Sequence, residues 1–79
     1  MIDNHVVARL KALFRDKLHL HVESGGTDLL ESGLLDSLTL VDLLLHLETD
    51  FGLRVSLEEL DLEAFRTLDR IAAKVAAAR

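Results

Sequence analysis

Three features of this 79-residue chain predict an all-α fold, a small four-helix bundle with a long loop between its first two helices and a short third helix. Proline is absent and glycine occurs only four times, which suits helices and disfavours a turn-rich β fold. Apolar residues make up 49% of the chain and recur at spacings of three and four rather than in alternation. Cysteine is absent, so neither a disulfide nor a thiolate-bound metal can staple the fold, and helix packing has to stabilise it. The length suits one domain, 1–79, and with aromatic residues at 4% the core must be mostly Leu, Val and Ala.

The first helix is expected from Asp3 or Asn4, either of which is a suitable cap, to about Leu18. Val7, Leu10, Phe14 and Leu18 share one face of it. A long loop follows, marked by Ser24-Gly25-Gly26. Leu29, Leu30, Leu34 and Leu35 lie in this loop, and so many leucines imply that it packs on the bundle. The second helix is expected from Ser37 to Phe51, closed by Gly52. Ser56-Leu57-Glu58-Glu59 has the spacing of a capping box and is expected to start a short turn. Asp61 to Phe65 reads as a short third helix. Thr67 then caps a last helix with Leu68, Ile71, Ala72, Val75 and Ala76 on one side.

The net charge is -5, unevenly spread. Eleven of the 14 acids fall between Leu18 and Phe65, where Arg54 is the one Lys or Arg. The bases gather near the ends, at Arg9, Lys11, Arg15 and Lys17 and again at Arg66, Arg70, Lys74 and Arg79. So acidic a middle repels phosphate backbones, which argues against nucleic-acid binding, and it attracts basic protein partners. The same acids also serve simply as a solvated surface. No apolar run approaches membrane-spanning length and no signal pattern opens the chain, so a cytoplasmic protein with no membrane insertion is expected.

The second helix is too apolar for a single buried face. At about 100° per residue, Leu40, Leu43, Leu44, Leu47 and Phe51 form one arc, the core face. Leu38, Val41 and Leu45 form a second arc, flanked by Asp42 and Glu48, with Ser37 near its edge. Thr39, His46 and Thr49 make a polar stripe between the two. Either neighbouring helices and the leucine-rich loop cover both faces, or the second arc is a partner surface; an apolar strip rimmed by charge favours the partner.

Asp36-Ser37-Leu38 stands where the loop becomes this helix. Asp-Ser ahead of an apolar run is what an ordinary N-cap looks like. It is also a good place to hold a phosphodiester, because the dipole and free N–H groups of a helix N-terminus favour an anion beside the Ser37 hydroxyl.

With these residues in view, the chain resembles the acyl and peptidyl carrier proteins. The resemblance spans about Asp28 to Val75. It rests on Glu31-Ser32-Gly33-Leu34-Leu35-Asp36-Ser37-Leu38, on Val41, Leu44, Leu47, Glu48 and Phe51-Gly52, and on Thr67-Leu68 and Ile71. It implies a carrier-type bundle with 4'-phosphopantetheine, taken from coenzyme A, attached covalently at Ser37. An acyl or aminoacyl group would ride on that arm as a thioester. It also implies that Asp36, Leu38, Val41, Asp42, Leu45 and Glu48 face partner enzymes. Those partners would be a phosphopantetheinyl transferase, an acyl- or aminoacyl-adenylating ligase or synthase, and a downstream acyltransferase, each meeting a monomeric carrier. Thr39 and Thr49 stand where fatty-acid carriers often have acids, and the region after Val55 lacks their proline. Asp50-Phe51-Gly52 and the stretch from Asp61 to Thr67 look more like stand-alone D-alanyl or aminoacyl carriers.

An enzyme is not expected. Ser37 lies in no Gly-x-Ser-x-Gly elbow, and His46 on the same helix is poorly aimed as its base. His46 is expected to pair with Asp42 or Asp50 instead. His5, His19 and His21 have no metal-ligand spacing, so no metal site is expected. The competing reading is a small helical interaction module that docks a partner through the same leucine face and carries no cargo. Such a module would have no need of the hydroxyl at Ser37.

Overall fold

The computed structural model describes residues 4–56, 58 and 60–78. Three α-helices, α1 (Asn4–Lys17), α2 (Ser37–Phe51) and α3 (Leu68–Ala77), and a 3-10 turn (Leu62–Phe65) are the regular elements given for them. The described residues are all-helical in their regular structure, with the expected long connection between α1 and α2. Asp3, offered as a cap, lies outside the described residues, as do Leu57 and Glu59 of the capping box. Glu58 N–H does donate to Ser56 Oγ at 3.3 Å.

α1 turns a wider apolar face inward than the spacing of Val7, Leu10 and Phe14 suggested. Val6 and Leu13, their chain neighbours, are buried as well, whereas Leu18 is half-buried beyond the helix end. His19 breaks the helix in the left-handed region, at φ 57°. Around it the Phe14 carbonyl accepts from Leu18 N–H at 3.2 Å and from Leu20 N–H at 2.9 Å.

The third helical segment is a single 3-10 turn rather than an α-helix. Asp61 caps it, accepting from Glu63 N–H at 3.0 Å. Two residues beyond its end, Thr67 is extended (φ -134°, ψ 159°) and caps α3, accepting from Arg70 N–H at 3.1 Å. The chain must straighten for that second cap, which leaves no room for a bond four residues back. Phe65 still reaches the core and is fully buried.

α3 packs on α1 and on the 3-10 turn. Leu68, Ile71, Ala72 and Val75 are buried, while Ala76, expected beside them, is exposed. One apolar cluster joins all the elements. Leu29 and Leu35 from the long loop, Val22 before them and Leu53 after α2 belong to it. Each fully buried Leu or Phe in this cluster contributes about 1.5–3 kcal/mol. No polar or charged residue is buried among those described.

Candidate functional site

α2 begins at a side-chain cap supplied by Asp36. With Asp36 in the extended region (φ -102°, ψ -175°), its Oδ1 accepts from Thr39 N–H at 2.8 Å, and its carbonyl accepts from Leu40 N–H at 2.8 Å. Capping therefore falls to Asp36, and Ser37 is the first helical residue. Its side chain is exposed, and its hydroxyl enters none of the hydrogen bonds found among the described residues. The hydroxyl sits at the positive end of a 15-residue helix. A phosphodiester attached there would break no internal contact of the serine side chain. Thr39 N–H holds the Asp36 carboxyl below the usual carboxylate range, so it is ionised at neutral pH. An anion on Ser37 would share the helix tip with this carboxylate.

Both arcs of α2 fall as the helical spacing predicts. Leu40, Leu43 and Leu47 are buried, and Leu44 and Phe51 are half-buried. Leu38 is 79% exposed, Val41 44% and Leu45 59%. Asp42 and Glu48 are exposed beside them. Arg54 Nε donates to Glu48 Oε1 at 3.2 Å, a pair open enough to water that a partner's cation can replace it at little cost. Spacing alone did not reveal a dimple of about 160 Å³ lined by Val41, Leu44, Leu45, Glu48 and Val55. Leu44 belongs to it as well as to the edge of the core, and Val55 reaches it from the segment after α2. Leu62, on the 3-10 turn, is another exposed large apolar residue, at 49%.

The far end of α2 is held from outside. Gly52 closes the helix at φ 68°, and Leu53 N–H reaches back to the Leu47 carbonyl at 3.1 Å. No base lies in the last turn of α2. Arg9 of α1 takes that role: its Nη2 donates to the Asp50 carbonyl at 3.2 Å, and its guanidinium stacks 4.4 Å from the Phe51 ring centroid.

His46 is half-buried on the polar stripe and forms no ion pair with Asp42 or Asp50 among the described residues, contrary to the expectation from spacing. Thr49 Oγ1 donates to the Leu45 carbonyl at 2.9 Å. The described residues contain no group of three or more His, Asp or Glu placed to hold a metal ion. Nor do they contain a helix long and apolar enough to cross a membrane.

Over 48 residues the chain is 42% identical to a D-alanyl carrier protein of Leuconostoc citreum, a match covering 61% of this chain and 62% of that one. It is 44% identical over 48 residues to a D-alanyl carrier protein of Lacticaseibacillus casei, covering 61% and 59%. The chain thus spans about three fifths of the length of these curated relatives. No solved structure matches it. The model of the phosphopantetheine attachment site family matches residues 8–75, a span that holds Ser37, both arcs of α2 and most of α3, and the chain belongs to that family.

Proposed function

We propose that the chain is a single carrier domain, 1–79, that holds an acyl or aminoacyl group as a thioester on a 4'-phosphopantetheine arm attached to Ser37. The D-alanyl carriers among its relatives favour a D-alanyl cargo. One observation carries the reading: at the start of α2 the capping falls to Asp36, which leaves the Ser37 hydroxyl exposed and unengaged. The family brings the covalent arm as prosthetic group, and the arm's terminal thiol holds the cargo.

The chain's own contribution is presentation and recognition. In arm transfer the Ser37 Oγ would take the phosphopantetheine from coenzyme A, with adenosine bisphosphate as the leaving group, while the transferase would supply Mg²⁺ and accept the hydroxyl proton. Leu38, Val41 and Leu45, with Asp42 and Glu48 at their rim and Asp36 at the helix tip, support docking by enzymes that bring matching apolar and basic residues. These partners are a phosphopantetheinyl transferase, an adenylating ligase and a downstream acyltransferase. The carrier works as a monomer in the cytoplasm and catalyses nothing itself.

Incubation with coenzyme A and a promiscuous transferase tests the site. The wild-type chain gains the mass of one arm, and Ser37→Ala, folded by circular dichroism, gains none. Modification of Ser37→Ala at the wild-type level removes Ser37 from the reading.

A further inference from the structure

We propose that Arg66, 29 positions beyond the serine, is a positioning residue for the Ser37 hydroxyl, an inference that rests on Ser37 being the attachment site. Each nitrogen of the Arg66 guanidinium donates a hydrogen bond. Nε and Nη2 donate to Glu63 Oε2 and Oε1 at 2.8 and 2.7 Å, and Nη1 donates to Asp28 Oδ2 at 2.8 Å. The Arg66 carbonyl accepts from Leu29 N–H at 2.7 Å. One residue thus grips Asp28-Leu29 by side chain and by backbone.

The path from that grip to Ser37 is short. Asp28 Oδ1 accepts from Leu30 and Glu31 N–H at 3.1 and 2.8 Å, folding the turn that follows. The Leu29 carbonyl accepts from Leu35 N–H at 2.9 Å, and Leu29 and Leu35 are both buried. Asp36, the cap of α2, is the next residue. The loop that delivers Ser37 is therefore tied to the junction of the 3-10 turn and α3 and not only to its own helix. The Arg66 and Asp28 side chains are 32% and 31% exposed, so salt screens this pair less than a fully solvated one. A planar guanidinium can hold both carboxylates at once, which a lysine ammonium cannot do with the same geometry.

A residue acting in this way changes how the hydroxyl is aimed, not how the carrier docks. Arg66→Gln lowers kcat for arm transfer about tenfold, while KM for the carrier stays within about twofold. Arg66→Lys falls between the two. Asp28→Asn resembles Arg66→Gln, and the double variant is no slower than either single one, because both remove the same contact. Independently of turnover, amide hydrogen exchange at Leu29 and Leu35 speeds up, and the Ser37 amide resonance moves. If kcat stays within twofold of wild type in both variants at a temperature where both are folded, the inference is overturned and Arg66 is a stability clamp. Should Arg66→Gln fail to fold, Asp28→Asn and Arg66→Lys, the milder changes, decide by the same criterion. A wild-type chain that gains no mass overturns the Ser37 reading and this inference together. Uptake by wild type but not by Ser37→Ala, with unchanged kcat in the Arg66 variants, removes the inference alone.

Discussion

α2 and α3 both start from a side-chain cap and are both rich in apolar residues, yet they spend those residues differently. α3 buries Leu68, Ile71 and Val75 against α1 and the 3-10 turn. α2 buries Leu40, Leu43 and Leu47 and leaves Leu38, Val41 and Leu45 in solvent. The caps differ too. Thr67 is a neutral hydroxyl, whereas Asp36 is a carboxylate one residue before the serine. A helix that serves only the fold needs one apolar face. The second face of α2, next to an unengaged hydroxyl, lies outside the core.

The sharpest way to break this contrast is to truncate one leucine from each face of α2. Leu47→Ala costs about 2–5 kcal/mol in denaturant unfolding, because the side chain is fully buried. Leu45→Ala changes stability by less than about 0.5 kcal/mol and instead weakens transferase docking. Equal losses of stability at the two positions would mean that α2 has no spare face. A smaller effect is expected at the rim. Asp42→Lys or Glu48→Lys raises KM for the transferase severalfold at low salt with an unchanged melting temperature, and added salt narrows the difference. Unchanged KM in both would take the acidic rim out of recognition.

The smallest effect separates the two caps by pH. The Asp36 carboxyl is lowered in the folded chain by the Thr39 N–H, so its contribution is complete above the ordinary carboxylate range. That contribution is lost as pH falls through the lowered folded value. Asp28 and Glu63 are lowered as well, by the Glu31 N–H and by the Arg66 guanidinium respectively, and they act in the same direction. Wild type therefore loses more stability between pH 6 and about pH 2 than Asp36→Asn does. Thr67→Ala, which costs about 1 kcal/mol, leaves that pH dependence intact. Parallel acid curves for wild type and Asp36→Asn would show that the cap does not titrate with folding.

Periodicity made α2 legible, because its two arcs need only 3.6 residues per turn and a count of leucines. The caps at Asp36 and Thr67 and the stop at Gly52 were legible for a related reason: each depends on residues close by in the chain. Contacts across long separations were not. Arg66 reads in the sequence as one more base near the end, and nothing local pairs it with Asp28, 38 positions away. Val22 and Leu53 are isolated apolar residues outside any helix, so no spacing marked them as core. The doublets Val6-Val7 and Leu13-Phe14 hid two of the five buried residues of α1, since a single spacing rule picks one member of each. Asp61 to Phe65 carries helical residues, but the extended backbone at Thr67 cuts the segment to one tight turn.

Arg9 has a consequence for anyone wishing to isolate the docking face proposed for α2. α2 carries Glu48 and Asp50 toward its negative pole and borrows the compensating cation from α1. A synthetic peptide of residues 37–52 would lose that counter-charge and the core-side packing together, at a length where lone helices are already marginal in water. The proposed docking face is not portable: it needs the whole domain, or a scaffold that restores the missing guanidinium, and not the helix by itself.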